Sequence, residues 1–258
     1  MAEIAAVDLI AKFQYALDNK WGYIWGSAGE TWTQEKQNSL VNTFVSKYGA
    51  NWKNNEQAKK ADKYYGALNG SKWIGHRVAD CSGLFYWAFK QLGGSMYHGS
   101  NTMYNSYCTA KGKLTKKGRT DGQELKPGTA VFTGNDSTHG HVGLYIGNDT
   151  VIEASGTNAG VITTKISGGK WTYWGELKGV KYSMTSSASK PPEVSSGKTA
   201  VVTGTRLALR QQPSTSATVI TRANTGETVE ILDDTEWVKV RYKGKTGYMM
   251  VKYLKLNI

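Results

Sequence analysis

Only two cysteines, Cys81 and Cys108, occur in the 258 residues, which excludes a disulfide framework. No block of five or more Lys/Arg is present despite a net charge of +12, so there is no basic arm or tail for nucleic acid, and no nucleic-acid partner is expected. No apolar run approaches the length needed to cross a bilayer, which argues against membrane insertion. The opening stretch, MAEIAAVDLIAKFQYALDNKW, lacks the basic start and unbroken apolar core of a signal peptide. On that reading the chain is made in the cytosol without a signal peptide. HExxH, CxxC and Asp-rich calcium loops are missing, as is a phosphate-cradling Gly loop, so neither a metal nor a cofactor is expected. No internal repeat is visible.

Aromatic residues, by contrast, are plentiful, with 9 Trp and 15 Tyr. The positive charge is spread over the whole chain and favours encounter with polyanions. One seam divides the sequence. From Ser183 it reads SMTSSASKPPEVSSGKT, a polar stretch with a Pro-Pro pair that cannot pack a core. The expected organisation is a domain over 1–183, a flexible linker over 184–199 and a second domain over 200–258.

The first half of the N-terminal domain reads as helical. Ile4, Val7, Ile10, Phe13 and Leu17 recur at steps of three or four, as on an amphipathic helix. Thr31 or Thr33 is placed to cap a helix carrying Leu40, Val41, Phe44, Val45 and Tyr48, and a more polar helix is expected over 55–68. DCSGLFYWAFKQLGG reads as a helix stopped by Gly93-Gly94. From about residue 127 the pattern changes to short β-type runs, TAVFT, HVGLYI, TVIEA and GVITTKI. Helices followed by strands predict an α+β domain with an antiparallel sheet packed on the helices.

Two segments could carry chemistry. In the first, Asp80 is a natural N-cap that puts Cys81 in the first turn of a helix, where the dipole favours thiolate. Gly83 would leave room for a substrate backbone. The bland reading of such a cysteine is a small buried hydrophobe. The second segment, HGHVGLYIGNDTVIEA, reads as a hairpin turning at GND. With an odd loop or a bulge, His141 and Glu153 would share one face and lie opposite each other. The bland reading here is a solvated sheet face. Together the segments supply a thiol, an imidazole and a group to orient it, the nucleophile–base–orienter set of a cysteine peptidase.

At these residues the sequence resembles the NlpC-type branch of papain-like peptidases. DCSGLFYWAF followed some sixty residues later by HVGLYIGNDTVIEA is similar to that family's D-C-S-G helix start, its H-V-G-I-Y-I-G strand and a third polar residue twelve positions on. WGYIWG is similar to its aromatic-Gly motif. The resemblance implies a catalytic Cys81, His141 and Glu153, with Tyr23 and Ser82 near the substrate. The family's third residue is most often His, so Glu153 is a departure. A further departure is the helical insertion of about fifty residues between Gly26 and Arg77, which reads as added packing rather than a cleft wall. His139 competes with His141 for the base role but does not directly precede the Val-Gly-Leu-Tyr-Ile strand. His76 and His98 are expected to be exposed, and Cys108 to be a structural free thiol.

The last sixty residues hold short strands with turns at PSTS, NTG, DDTE and KGKTG, predicting a small all-β barrel. Leu207 through Ser214 and Trp237 through Tyr248 resemble the two signatures of bacterial SH3-like domains. These resemblances imply a peptidoglycan hydrolase of phage-endolysin type that cleaves a stem-peptide bond, between D-glutamate and the diamino acid. It would act on the wall after release or delivery. The expected partner is bacterial peptidoglycan, with anionic wall polymers as a second. The alternatives are a wall amidase or acyltransferase using the same thiol, or a non-catalytic wall-binding protein.

Overall fold

The computed structural model describes residues 3–182, 199–210, 215, 218–231, 237–243 and 245–257. The chain divides into two compact units, Met1–Ser186 and Ser187–Ile258. The linker expected over 184–199 falls outside the described residues except for Thr199, which already begins a strand.

In the first unit, helices Ala6–Asp18 and Cys81–Gln91 lie on one face of an antiparallel seven-stranded sheet. The strand order is Gly118–Arg119, Cys108–Thr115, Tyr173–Leu177, Ala130–Thr133, His141–Gly147, Thr150–Gly156 and Gly160–Lys165. Strand alternation gives the sheet two different faces. Phe132, Val142, Leu144, Ile152 and Ala154 meet Leu9, Phe13, Leu84, Phe85 and Phe89 of the helices. Val131, Val151 and Trp174 point the other way and are covered by Leu114, Leu125, Ile166 and Trp171. A fully buried Leu or Phe contributes roughly 1.5–3 kcal/mol, so the cysteine helix and the histidine strand are held by a common apolar layer.

The insertion follows the expected pattern in part. Thr33 caps helix Gln34–Tyr48 by accepting from the Lys36 N–H. The helix expected over 55–68 is instead two short helices, Glu56–Lys59 and Tyr64–Asn69. Ala58 and Tyr64 both pack with Phe44 and Trp52 in a separate small core. In one continuous helix those two positions would point about 120° apart, so the break lets both reach the same cluster.

The cysteine helix ends as its sequence predicts, with Leu92 as C-cap and Gly93 at φ 74°. Gly83 serves a different purpose from the one expected. A Cβ there would lie 2.0 Å from the Ser27 carbonyl oxygen, so the glycine admits the chain's own segment rather than a substrate backbone. Backbone cannot yield as a flexible side chain can. Gly83→Ala should therefore destabilise the protein by about 1–3 kcal/mol, read as a lower denaturant midpoint at unchanged slope. A midpoint equal to the parent's would contradict the close crossing.

The second unit is all-β. Its antiparallel seven-stranded sheet runs in the order Val219–Ala223, Leu207–Arg210, Lys245–Met250, Trp237–Tyr242, Thr228–Ile231, Thr199–Val202 and Leu254–Asn257. The sheet encloses one core that includes Val202, Leu209, Val229, Ile231, Val238, Val240 and Met249.

Candidate active site

Asp80 sets the geometry at the start of the cysteine helix. Its backbone is extended, and its Oδ1 accepts from the Gly83 N–H at 2.7 Å and from the Ser82 hydroxyl at 3.1 Å. Its Oδ2 accepts from the Gly26 N–H at 2.8 Å and meets His98 Nε2 at 2.8 Å. One carboxylate thus ties the helix start to the 23–27 segment and to a histidine. Ser82 is buried, and its hydroxyl is directed to this cap. His98 departs from the expected exposed position: it is half-buried, paired with Asp80 and stacked on Tyr86. That pairing raises the imidazole's affinity for its proton.

The hairpin brings His141 and Glu153 together, with a register different from the one expected. Asn148 and Asp149, both at positive φ, make a two-residue turn between Gly147 and Thr150. A bulge between Tyr145 and Gly147 shifts the pairing, so that Leu144 pairs with Ile152. His141 and Glu153 therefore share a face as diagonal neighbours instead of directly opposite ones. His141 Nε2 lies 2.6 Å from Glu153 Oε2.

Glu153 is fully buried and its carboxylate is saturated. Lys170 Nζ donates to both oxygens at 2.6 Å, and Thr164 Oγ1 donates to Oε1 at 2.7 Å. Trp171 donates to Thr164 through Nε1 and stacks on the His141 ring, with planes 18° apart. Burial by itself would raise the Glu153 carboxyl, but the bonds from His141, Lys170 and Thr164 outweigh it and bring the value from 4.5 to about 2. The folded value lies below the ordinary one. Its stabilising contribution is therefore present above about pH 4.5 and lost as the pH falls toward 2. An ionised carboxylate only accepts, so Nε2 carries the proton and Nδ1 of the neutral ring keeps its lone pair. Neither Lys170 nor Thr164 belongs to the motifs. Lys170 follows a Gly-Gly loop, and no spacing rule points to it.

The thiol corrects an expectation. A helix start was expected to favour thiolate, yet burial and then the Asp80 charge push Cys81 up to about 12. The backbone N–H groups of Val142, Ser82 and Cys81 lower it only in part. Val142 directly follows His141, so the sulfur sits beside the backbone of the histidine strand. Among the described residues no hydrogen bond joins the thiol to the imidazole, and burial beside the Asp80 carboxylate favours the protonated thiol. Cys108 is a free thiol whose Sγ donates to the Met103 carbonyl, and burial pushes it to about 12 as well. Iodoacetamide at neutral pH should therefore modify Cys81 no faster than Cys108 in the resting protein. Selective alkylation of Cys81, mapped by peptide mass, would contradict this resting state.

Tyr23 lies on the same segment as Gly26 and is near enough to Cys81 and Asp80 that their charges, after burial, raise its phenol. His139 belongs elsewhere. It is buried, stacked on Tyr104 at 3.7 Å between ring centroids and edge-on to Tyr173. The insertion also reaches the neighbourhood of the site. Lys36, Leu40 and Lys63 line a depression of about 300 Å³ with Trp25, Gly26 and Ser27.

A thiol at a capped helix start, beside a strand whose imidazole is anchored by a buried carboxylate, is a papain-like arrangement. Comparison with known proteins makes this specific. The NlpC/P60 family model matches residues 63–177, and the bacterial SH3 domain model matches residues 205–255. The first match includes Cys81, His141, Glu153 and Lys170 but begins after Tyr23. The chain is similar to the peptidoglycan DL-endopeptidase CwlO of Bacillus licheniformis, with 32% identity over 98 residues, 38% of this chain and 20% of the relative. The chain thus spans about a fifth of that relative's length. Among solved structures it is similar to the NlpC/p60 domain of the peptidoglycan hydrolase SagA, at 11% identity and TM-score 0.38, covering 67% of this chain and 98% of the other. It is also similar to RipD of Mycobacterium tuberculosis, described as a non-catalytic NlpC/p60 domain protein, at 18% identity and TM-score 0.36, covering 66% of this chain and 96% of the other.

Proposed function

We propose that the protein is a peptidoglycan endopeptidase that cleaves the stem peptide between D-glutamate and the diamino acid, using Cys81 as nucleophile. The observation that carries this reading is the His141–Glu153–Lys170 assembly beside the capped start of the cysteine helix. A buried, saturated carboxylate fixes the ring and leaves Nδ1 as the base. The neutral thiol gives its proton to His141 as sulfur attacks the carbonyl carbon. Backbone N–H groups at the helix start stabilise the oxyanion. The imidazolium then protonates the leaving amine, and water attack on the thioester returns Cys81 to its thiol. Tyr23 borders the nucleophile on the substrate side. The C-terminal unit holds the chain on the wall and raises the local substrate concentration.

Acid-quenching a reaction with a soluble stem peptide tests this step. Whole-protein mass should rise by the acyl half of the substrate, with the added mass mapped to Cys81. Turnover without any Cys81 adduct, or with an adduct at another residue, would contradict it.

One observation favours a second reading, a wall-binding protein without turnover: the Cys81 thiol is buried, and burial and the Asp80 charge push it up to about 12. Binding to stem peptides with no product after prolonged incubation would select it.

A further inference from the structure

We infer that an arginine-lined pocket on the C-terminal unit is an oxyanion site through which this domain grips the wall. The inference rests on the reading that this unit is the wall-holding module. It adds which face binds and what chemistry that face recognises. The pocket encloses about 350 Å³ and is lined by Thr205, Arg206, Arg210, Arg222, Met250 and Tyr253, among others. Arg206 and Arg222 both line it, and no carboxylate is among the described lining residues.

Elsewhere in the unit the described carboxylates are already paired with cations. Glu227 pairs with Lys243 at 2.9 Å and Glu230 with Arg241 at 3.5 Å. These are the only carboxylates among the described residues of the unit, and neither lines the pocket. Arg206 and Arg222 are exposed, and the hydrogen bond connecting them runs from Arg222 to the Arg206 carbonyl at 3.3 Å. That bond fixes one guanidinium against the backbone of the other arginine's residue and leaves its remaining N–H groups for a ligand.

Hydrogen bonds tie down two of the lining residues, Gly204 and Tyr253. Thr203 N–H donates to the Tyr253 carbonyl at 2.8 Å, and Thr225 donates its hydroxyl to the Gly204 carbonyl at 3.2 Å. Arg206 itself adopts φ 52°, a left-handed conformation in which glycine or asparagine would be at ease. A long cationic side chain at such a position is conformationally unfavourable.

Guanidinium groups present paired N–H donors that match the two oxygens of a carboxylate or phosphate. Met250 and half-exposed Tyr253 add an apolar wall for the carbon skeleton that carries the anion. In a cell wall that oxyanion has two sources, the phosphodiesters of anionic polymers and the free carboxylates of stem peptides. Both satisfy the same donors.

Sedimentation with purified walls tests the site. The full-length chain carrying Cys81→Ala is compared with the same chain also carrying Arg206→Gln and Arg222→Gln, or Arg206→Lys and Arg222→Lys. Walls are used intact and after hydrofluoric acid has removed phosphodiester-linked polymers. The Gln pair should weaken binding at least tenfold and flatten its salt dependence, whereas the Lys pair, which keeps the charge but not the paired donors, should fall between Gln and parent. Thermal unfolding should be unchanged, since both side chains are exposed. Arginine-dependent binding that vanishes on stripped walls identifies phosphodiesters, and binding that survives stripping identifies carboxylates. Parent-like binding by the Gln pair overturns the pocket while sparing the wall-holding role. Failure of the parent to bind either wall overturns both.

Discussion

The Cys81→Ala chain should fold as the parent does and release no soluble product from purified walls, a loss of about 10⁴-fold or more. The side chain is buried and small, so trimming sulfur should change stability by no more than about 1 kcal/mol. Cys108, the other thiol, packs on the Met103 carbonyl and cannot substitute for it. Turbidity loss of wall suspensions, alongside circular dichroism and the unfolding midpoint, separates chemistry from fold. Wall hydrolysis by the folded alanine variant would remove the thiol from the mechanism. Cys81→Ser should be equally inactive, because a serine hydroxyl is harder still to deprotonate in the same buried position.

Glu153→Ala should lower kcat/KM by roughly 10- to 1000-fold, the range for the orienting member of a nucleophile–base set. The variant removes the acceptor at 2.6 Å from His141 Nε2 and leaves the Lys170 ammonium nearby. A carboxylate favours imidazolium, and a bare ammonium disfavours it. The acid limb of the pH–rate profile should therefore move to lower pH in the variant. Glu153→Gln is expected to fall between parent and alanine. It keeps one acceptor oxygen, but its NH₂ must face one of the donors that now fill both carboxylate oxygens. The glutamine also lacks the charge, so its acid limb should move in the same direction as that of alanine. Parent-like rates and an unmoved limb in both variants would make Glu153 a bystander on the strand.

These expectations show which features of the site are written in local sequence. The Asp80 cap, the Cys81 helix start and the Gly93 stop depend on residues within one or two helical turns, and they are readable as such. The hairpin was readable down to the need for a bulge, because strand alternation fixes which residues share a face. The bulge position was not, and it alone decides whether His141 meets Glu153 squarely or on the diagonal. Long-range contacts were beyond reach. Lys170 is seventeen residues from Glu153 on a featureless loop, yet it donates to both carboxylate oxygens. His98 meets Asp80 only after the chain returns from the end of the cysteine helix. Gly83 gave the right kind of signal, a need for space, but the neighbour that needs it is Ser27.

The thiol is the instructive case. Its helix position argues for thiolate, and its burial beside a carboxylate argues against. Sequence displays the first and tertiary packing supplies the second. With Cys81 pushed up to about 12, burial and the Asp80 charge outweigh the helix start. The same logic explains why His139 is silent. It lies two residues from His141 but is taken up by an aromatic stack with Tyr104 and Tyr173, where burial holds its proton affinity down.

The most direct test of the whole account is the mass of the products released from purified peptidoglycan. Digestion by the parent chain should yield stem peptides ending in D-glutamate and complementary fragments with a new free amino group on the diamino acid, in equal amounts. Intact stem peptides freed from the glycan, or walls unchanged after long incubation with folded protein, would contradict it.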